Sequence, residues 1–389
     1  MSWNQQLVKV NNKSLVLQTI INQGPLSRAD ISQVLGLTKG TVSSLVNELL
    51  EEFLCYESGT GKSSGGRRPV MLVFNESSGY SIGIDLGVNY ILGVLTDLSG
   101  QIVNEKMISV HRTTYEETIA IIDEVIQFLW NEAPNSHYGI VGIGIGVPGI
   151  VNNNGSILLA PNLGWKNIDL REKMEEKYNV PITIENEANA GAYGEKRFGA
   201  GKDFTNLVYL SAGIGLGVGL ILNDELYRGV NGFSGEMGHM IINVFGDTCS
   251  CGSKGCWELY ASEQTLLKQA QQILPDTRIT LESLIEQADE HPEIAELFTQ
   301  IGEYIGYGIN NIVNSFNPEQ IIIGNRLAKA KSLLAKPIQD IIENHSLKHN
   351  QSNLQIHFSD LKIYSSALGV SAYAIEGFLK ADLSQEEKQ

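Results

Sequence analysis

Two distant stretches of the chain follow one plan, and that repetition constrains the fold more than any other feature. Residues 81–110 run as a strand closing on Asp85-Leu86-Gly87, a second strand from Ile91 to Asp97, a turn at Ser99-Gly100 and a third strand to Val110. Residues 206–227 repeat this with the loop Gly213-Ile214-Gly215-Leu216-Gly217, a strand from Val218 to Leu222, a turn at Asn223-Asp224 and a last strand to Tyr227. Such duplication implies two subdomains facing each other across a cleft that holds a ligand. The apolar residues Ile119, Ile122, Val125, Ile126 and Leu129 predict a helix over 115–132, followed by the nearly all-apolar strand 140–147 and Pro148-Gly149. Apolar strands alternating with helices indicate a sheet covered on both faces, so the body is a mixed α/β unit.

Ahead of this body lies a segment of different character. Ser27 is placed to cap a short helix, with Pro25 just before it and Ile31, Val34 and Leu35 on one face; Gly36-Leu37 ends it. Thr38 caps a second helix whose Val42, Leu45, Val46, Leu49 and Leu50 follow the stripe of a buried face. Lys39, Thr41, Ser43, Ser44 and Asn47 point elsewhere, and are of the kind that reaches base edges and phosphates in a major groove. A helical hairpin with a solvated face fits this stretch equally well. The continuation favours DNA: a glycine-rich tip carrying Arg67 and Arg68 precedes the apolar strand Val70–Phe74, as in the wing of a winged helix, whose arginines enter a minor groove. A flexible interdomain linker is the alternative reading of that tip.

Charge follows the same division. The 389 residues carry a net −16, yet residues 1–75 hold seven Lys/Arg against five Asp/Glu, leaving 21 basic against 39 acidic residues in 76–389. A mildly basic head on an acidic body suits a small module that touches phosphates and excludes wholesale coating of nucleic acid. The polar N-terminus and the lack of a long apolar run predict a soluble, cytoplasmic protein with no membrane partner. The expected division is 1–75 as the head, 76–200 as a first lobe completed by a C-terminal helix at about 365–389, and 201–364 as a second lobe.

Cys55 stands alone and is expected to be a small buried hydrophobe, whereas Cys249, Cys251 and Cys256 crowd into eight residues. With His239 they give H-x9-C-x-C-x4-C, and Gly252 and Gly255 permit the tight turns between them. One imidazole and three thiolates make the closed tetrahedral shell of a structural zinc site. Glu236, three residues before His239, is expected to face the cleft beside it.

Several motifs together resemble the ROK family, which comprises repressors, sugar kinases and open reading frames. They are Gly235-Glu236-Met237-Gly238-His239, the segment from Cys249 to Glu258, Gly146-Val147-Pro148-Gly149, and Glu185-Asn186-Glu187-Ala188-Asn189-Ala190. Segments 63–75, 185–196 and 226–263 are most similar to the family's xylose-responsive bacterial repressors. The resemblance implies an actin-like, two-lobed sugar-kinase fold behind a winged helix-turn-helix. It also implies a sugar pocket lined by Asn162, Asn186, Glu187, Glu236, His239 and Glu258, and zinc held by His239, Cys249, Cys251 and Cys256. A homodimer on operator DNA, induced by D-xylose or another monosaccharide, follows from it.

Against the family's kinases the chain departs at the phosphate end. Glu187 stands where the kinases have an aspartate base, and an extra methylene displaces the carboxylate by about an ångström, which is costly in rate. Val88-Asn89 replaces Gly-Thr in the first loop, Ile214 replaces Thr in the second, and Asn325-Arg326 follows Gly324 where more glycine is usual. These losses beside an intact sugar set predict a sensor rather than an enzyme. The rivals are an ATP-dependent sugar kinase that also binds DNA, and a repressor controlled by a partner protein.

Overall fold

The computed structural model describes residues 3–60, 68–111, 113–275 and 279–384. The head opens with α1 (Trp3–Gln23), continues through β1 (Leu26–Ser27), α2 (Arg28–Leu35) and α3 (Lys39–Glu51), and closes with β2 (Cys55–Thr60) and β3 (Val70–Phe74). Ser27 and Asp30 cap α2 reciprocally, Gly36 ends it in the left-handed conformation, and the Thr38 side chain accepts from the Thr41 N–H to start α3. The three strands form an antiparallel sheet in the order β1-β3-β2. Ile31, Val42, Leu45, Val46, Leu49 and Cys55 are buried together against α1. Val34, expected inside, is 51% exposed: a two-turn helix buries only a narrow stripe, which Ile31 fills.

The first lobe holds β4 (Tyr80–Leu86), β5 (Tyr90–Asp97), β6 (Ile102–Ser109), α4 (Tyr115–Glu132) and β7 (Ile140–Val147). It continues with the small antiparallel sheet of β8 (Ile150–Val151), β9 (Ile157–Ala160) and β10 (Trp165–Ile168), then α5 (Leu170–Tyr178), β11 (Ile182–Asn186) and α6 (Glu187–Phe198). The second lobe contains β12 (Leu207–Ala212), β13 (Leu216–Leu222), β14 (Glu225–Leu226) and α7 (Glu258–Ala261). The helices α8 (Glu263–Ile273), α9 (Leu281–Gln287) and α10 (Pro292–Phe316) come next, followed by β15 (Gln320–Gly324), α11 (Lys331–His345), α12 (Lys348–Gln351) and β16 (Gln355–Phe358). The final helix, α13 (Ser365–Ser384), returns to the first sheet.

The main sheets run β11-β7-β4-β5-β6 and β14-β13-β12-β15-β16. Read from the opposite edge the second order is the first, an antiparallel meander followed by two parallel strands, so the sequence repeat is a repeat of topology. Between the sheets, α6 packs on β12 and β13 while α13 packs on β4 and β7, and the two helices cross tightly. A Cβ on Gly369 would stand 1.8 Å from the Ala190 carbonyl, and one on Gly194 2.1 Å from that of Ser365, so only glycine allows this approach. The cleft opens where strand ends and glycine loops of both lobes converge.

Candidate functional site

The cavity between the lobes measures about 260 Å³ and draws its walls from both glycine loops, from Ser234, Gly235, Glu236 and His239, from the segment that opens with Glu258 and Leu259, and from Asn325 and Arg326. All six residues expected to hold a sugar, Asn162, Asn186, Glu187, Glu236, His239 and Glu258, line it. Each reaches it for a local reason. Asn186 ends β11 and caps α6, its side chain accepting from the Ala188 and Asn189 N–H groups while its amide donates to the Gly149 carbonyl at 2.9 Å. Glu187 opens α6 and accepts from the Ser211 hydroxyl at 2.9 Å. Gly235 has a φ of +91°, which turns the chain so that Glu236 faces inward, with its carboxylate 4.0 Å from His239 Nε2. Glu258 begins α7, 3.6 Å from His239 Nδ1.

Burial shapes the electrostatics of this set. Desolvation pushes the Glu187 carboxyl up to about 7, against the lowering effect of Ser211, with the nearby Asp85 charge adding to the rise. Glu236 is raised for the same first reason, relieved by His239 and reinforced by Glu258. Among the described residues, no hydrogen bond satisfies the Asn162 side chain or the Glu236 carboxylate. A polyol entering the cavity meets acceptors and donors on several sides, the arrangement that rejects ligands lacking those hydroxyls.

Beside the cavity, His239, Cys249, Cys251 and Cys256 place their ligand atoms within 4.8 Å of one another. Cys249 Sγ lies 3.7 Å from His239 Nδ1, and Cys251 Sγ 3.7 Å from Cys256 Sγ. Ligand atoms at about 2.3 Å from a tetrahedral ion are about 3.8 Å apart, so the four residues fit a closed tetrahedral metal shell. Nδ1 faces the thiols, which leaves Nε2 toward Glu236 and the cavity.

The opposite end of the cavity is built from the chain's own side chains. The Tyr90 hydroxyl donates to the buried Asp85 carboxylate at 2.6 Å, and the Tyr90 ring covers the first glycine loop, 2.6 Å from where a Cβ on Gly87 would stand. Burial pushes Asp85 up to about 6, partly offset by the hydrogen bond from Tyr90. Asn325, with a φ of +62°, lays its amide over Gly213 and donates to the Ser211 hydroxyl at 3.0 Å. Arg326 pairs with Glu263, whose side chain is 1% exposed, at 2.9 Å and with Glu282 at 3.2 Å. Val88, Asn89 and Ile214 also line this end.

In the head, Lys39, Ser44 and Asn47 are exposed while Thr41 and Ser43 are half-buried. Thr41 is partly engaged in capping α3, and the Asn47 side-chain oxygen accepts from Arg28, which also pairs with Glu57 of β2. Arg68 is exposed, and Arg67 lies outside the described residues. The sequence reading missed Tyr90, Arg28 and α1. An aromatic four residues past the first loop's Leu86 could have hinted at Tyr90.

The ROK family model matches residues 81–376. The chain belongs to the ROK family. It is 46% identical over 378 residues to the xylose repressor of Bacillus spizizenii, covering 97% of this chain and 98% of that protein. Among solved structures, a ROK family transcriptional regulator described as a homolog of the E. coli MLC protein superposes with a TM-score of 0.82 at 27% identity, covering 97% of this chain and 98% of its own. A ROK family glucokinase from Streptomyces griseus, solved with glucose and AMPPNP, gives a TM-score of 0.71 at 27% identity, with 77% of this chain and all of its own covered. The ROK match begins at residue 81, so the head stands outside it; the xylose repressor and the regulator each align over 97% of this chain, whereas the glucokinase aligns over 77%. No helix among the described residues is long and apolar enough to cross a membrane.

Proposed function

We propose that this ROK chain is a cytoplasmic, sugar-responsive transcriptional repressor of xylose-utilisation genes, released from its operator by D-xylose bound between the lobes. The observation that carries this reading is the contrast within one cavity: three carboxylates, two amides and an imidazole line the sugar end, while Tyr90, Asn325 and Arg326 fill the phosphate end. The xylose repressor relatives support the choice of inducer. Residues 1–75 form the DNA-binding head, 76–200 with α13 the first lobe, and 201–364 the second.

Two heads of a homodimer would set α3 into successive major grooves about 34 Å apart, with Lys39, Thr41, Ser43, Ser44 and Asn47 toward the bases and Arg67 and Arg68 in the flanking minor groove. Zinc is the ion that suits one imidazole and three thiolates. It would fix the turn carrying His239, so that Nε2 and Glu236 meet the sugar in a set geometry. Glu236, Glu258 and Asn162 accept from or donate to vicinal hydroxyls, while Glu187, held by Ser211, bonds a further one. Sugar shifts the protein off DNA only through its higher affinity for the DNA-free state.

Operator binding followed by fluorescence anisotropy across a panel of free aldoses tests the whole reading. D-xylose is expected to weaken operator binding at least about tenfold. Steady phosphorylation of an aldose by ATP, with no sugar effect on operator binding, would refute it.

A further inference from the structure

The body grips the far end of the recognition helix α3. Just past that end, the Glu52 carbonyl accepts a 2.7 Å hydrogen bond from the Tyr138 hydroxyl, while the Glu52 side chain pairs with Lys13 of α1, itself 1% exposed. The next residue, Phe53, takes a φ of +57° and stacks on His137 with ring centroids 4.3 Å apart. His137 stands edge-on to Tyr138 at 4.7 Å, and Tyr138 edge-on to Phe378 of α13 at 4.7 Å. A bulky residue holds a left-handed conformation at a cost, so the contacts around Phe53 fix how the chain leaves α3 within the head.

Two rigid elements join this clamp to the cavity. The first is β7, which begins immediately after the clamp: the Tyr138 N–H donates to the Ser78 carbonyl and the Tyr80 N–H to the Gly139 carbonyl, both at 2.8 Å. Eight residues of strand span about 26 Å, and β7 ends at Pro148-Gly149, which line the cavity where Asn186 bonds the Gly149 carbonyl. The second is α13. Its Tyr373 stacks on Tyr193 at 4.1 Å and lies under the Arg228 guanidinium at 5.4 Å, and Arg228 pairs with Glu185 at 2.7 Å. Arg228 leads into the second-lobe loop that carries Ser234 and Glu236, whereas Glu185 and Tyr373 pack on the first sheet. A change in lobe separation therefore acts on α13, whose Ile375, Phe378 and Leu379 pack against the head.

We propose that His137 and Tyr138 are positioning residues for α3, forming the joint through which the state of the cavity reaches the DNA-binding face. This rests on the repressor reading and adds the route. Spatial continuity alone does not establish coupling, so the readout is the coupling itself. The operator dissociation constant of the full-length protein is measured by anisotropy with and without saturating D-xylose, and sugar binding is followed by calorimetry.

The His137→Ala/Tyr138→Ala variant is expected to bind both operator and sugar while the ratio of the two operator constants falls at least about tenfold, toward one. Tyr138→Phe keeps the rings and removes only the hydroxyl, and lowers the ratio about threefold. A merely structural role would weaken operator binding equally in both conditions; a ratio within twofold of wild type in both variants overturns the proposal. Should the double variant fail to fold by circular dichroism, Tyr138→Phe decides alone. A wild-type ratio of one overturns the repressor reading and the joint with it, so the two failures are told apart in the unmutated protein.

Discussion

The two ends of the interlobe cavity differ in where their polar groups find partners. At the sugar end, Glu236 and Asn162 have no hydrogen-bond partner among the described residues, and His239 Nε2 faces only a carboxylate 4.0 Å away. At the phosphate end, Tyr90 bonds one Asp85 oxygen, Asn325 bonds Ser211, and Arg326 bonds Glu263 and Glu282, while the other Asp85 oxygen and the Asn89 side-chain oxygen stay buried without a partner among the described residues. Unpaired groups facing the cavity can meet a ligand, whereas the phenol, amide and guanidinium at the other end are already taken by the chain's own oxygens. The same two-lobed frame thus leaves polar side chains free at one end of its cavity and occupies most of those at the other.

The largest expected effect breaks the sugar end at its support. Cys256 is buried among the other three residues able to hold a metal, so Cys256→Ala, or treatment of the native protein with a chelator, should lower stability by at least about 3 kcal/mol and abolish sugar binding. Thermal unfolding with and without chelator measures the first, calorimetry the second. An unchanged sugar isotherm after complete metal removal would detach the cluster from the site.

Breaking the phosphate end should cost nearly as much. Arg326→Met leaves the buried Glu263 without its strongest partner, and a loss of about 3 kcal/mol in urea unfolding is expected. Adding Glu263→Gln should recover most of it, because the stranded charge is then gone. Neither variant should lose D-xylose affinity, since the pair stands at the other end of the cavity.

Glu236→Ala sharpens the contrast by removing an acceptor that takes no hydrogen bond among the described residues and has only the His239 imidazole, 4.0 Å away, as a charged neighbour of opposite sign. The expected loss is about 100-fold in xylose affinity, or roughly 2.7 kcal/mol, with little change in thermal stability. Calorimetry and a melting curve on the same sample separate the two effects. A folded variant that binds xylose as well as wild type would remove Glu236 from the sugar site.

Glu187 carries the comparison into pH. Its carboxyl titrates at about 7 in the folded protein against 4.5 for an ordinary glutamate, with burial as the main cause. Between those values the native state holds a proton that the unfolded chain has released, so this group makes stability fall as pH rises from 4.5 through 7. Glu187→Gln should flatten that decline by about 2 kcal/mol, read as the difference between the two unfolding curves across pH 5–8. Parallel curves would show that the carboxylate is better solvated than its burial suggests.

The frame of this site was legible in the sequence, and its closure was not. Glycine loops and alternating apolar strands disclosed the duplicated topology because backbone approach and burial on both faces leave local marks. The cluster from His239 to Cys256 was legible because its thiols and glycines lie within a few turns of chain. By contrast α1 stayed hidden, since Lys13 sits on its buried stripe beside Val16, Leu17 and Ile20 and interrupts the apolar period, its charge being answered by Glu48 and Glu52 of another segment. Asn325-Arg326 marks a departure from the family's kinases in the sequence, yet the partners of Arg326, Glu263 and Glu282, lie far off along the chain, so only the fold reveals an ion-paired plug.

Tyr90 gives the smallest effect and the finest test of the closed end. Its phenol donates to Asp85, whose carboxyl titrates at about 6 in the folded protein. At pH 8 the acceptor is a carboxylate and the bond is charge-assisted, so Tyr90→Phe should cost about 2 kcal/mol; at pH 5 Asp85 is protonated and the loss should shrink to about 1 kcal/mol. Urea unfolding at both pH values reads this difference, and equal losses would mean that the hydroxyl answers some other group. The variant should still take up no ATP in calorimetry, because the ring remains over Gly87 and because Asn325 and Arg326 are untouched. Heat from ATP after the loss of a single hydroxyl would mean that this end of the cavity is merely latched, and that the distinction between its two ends is one of degree.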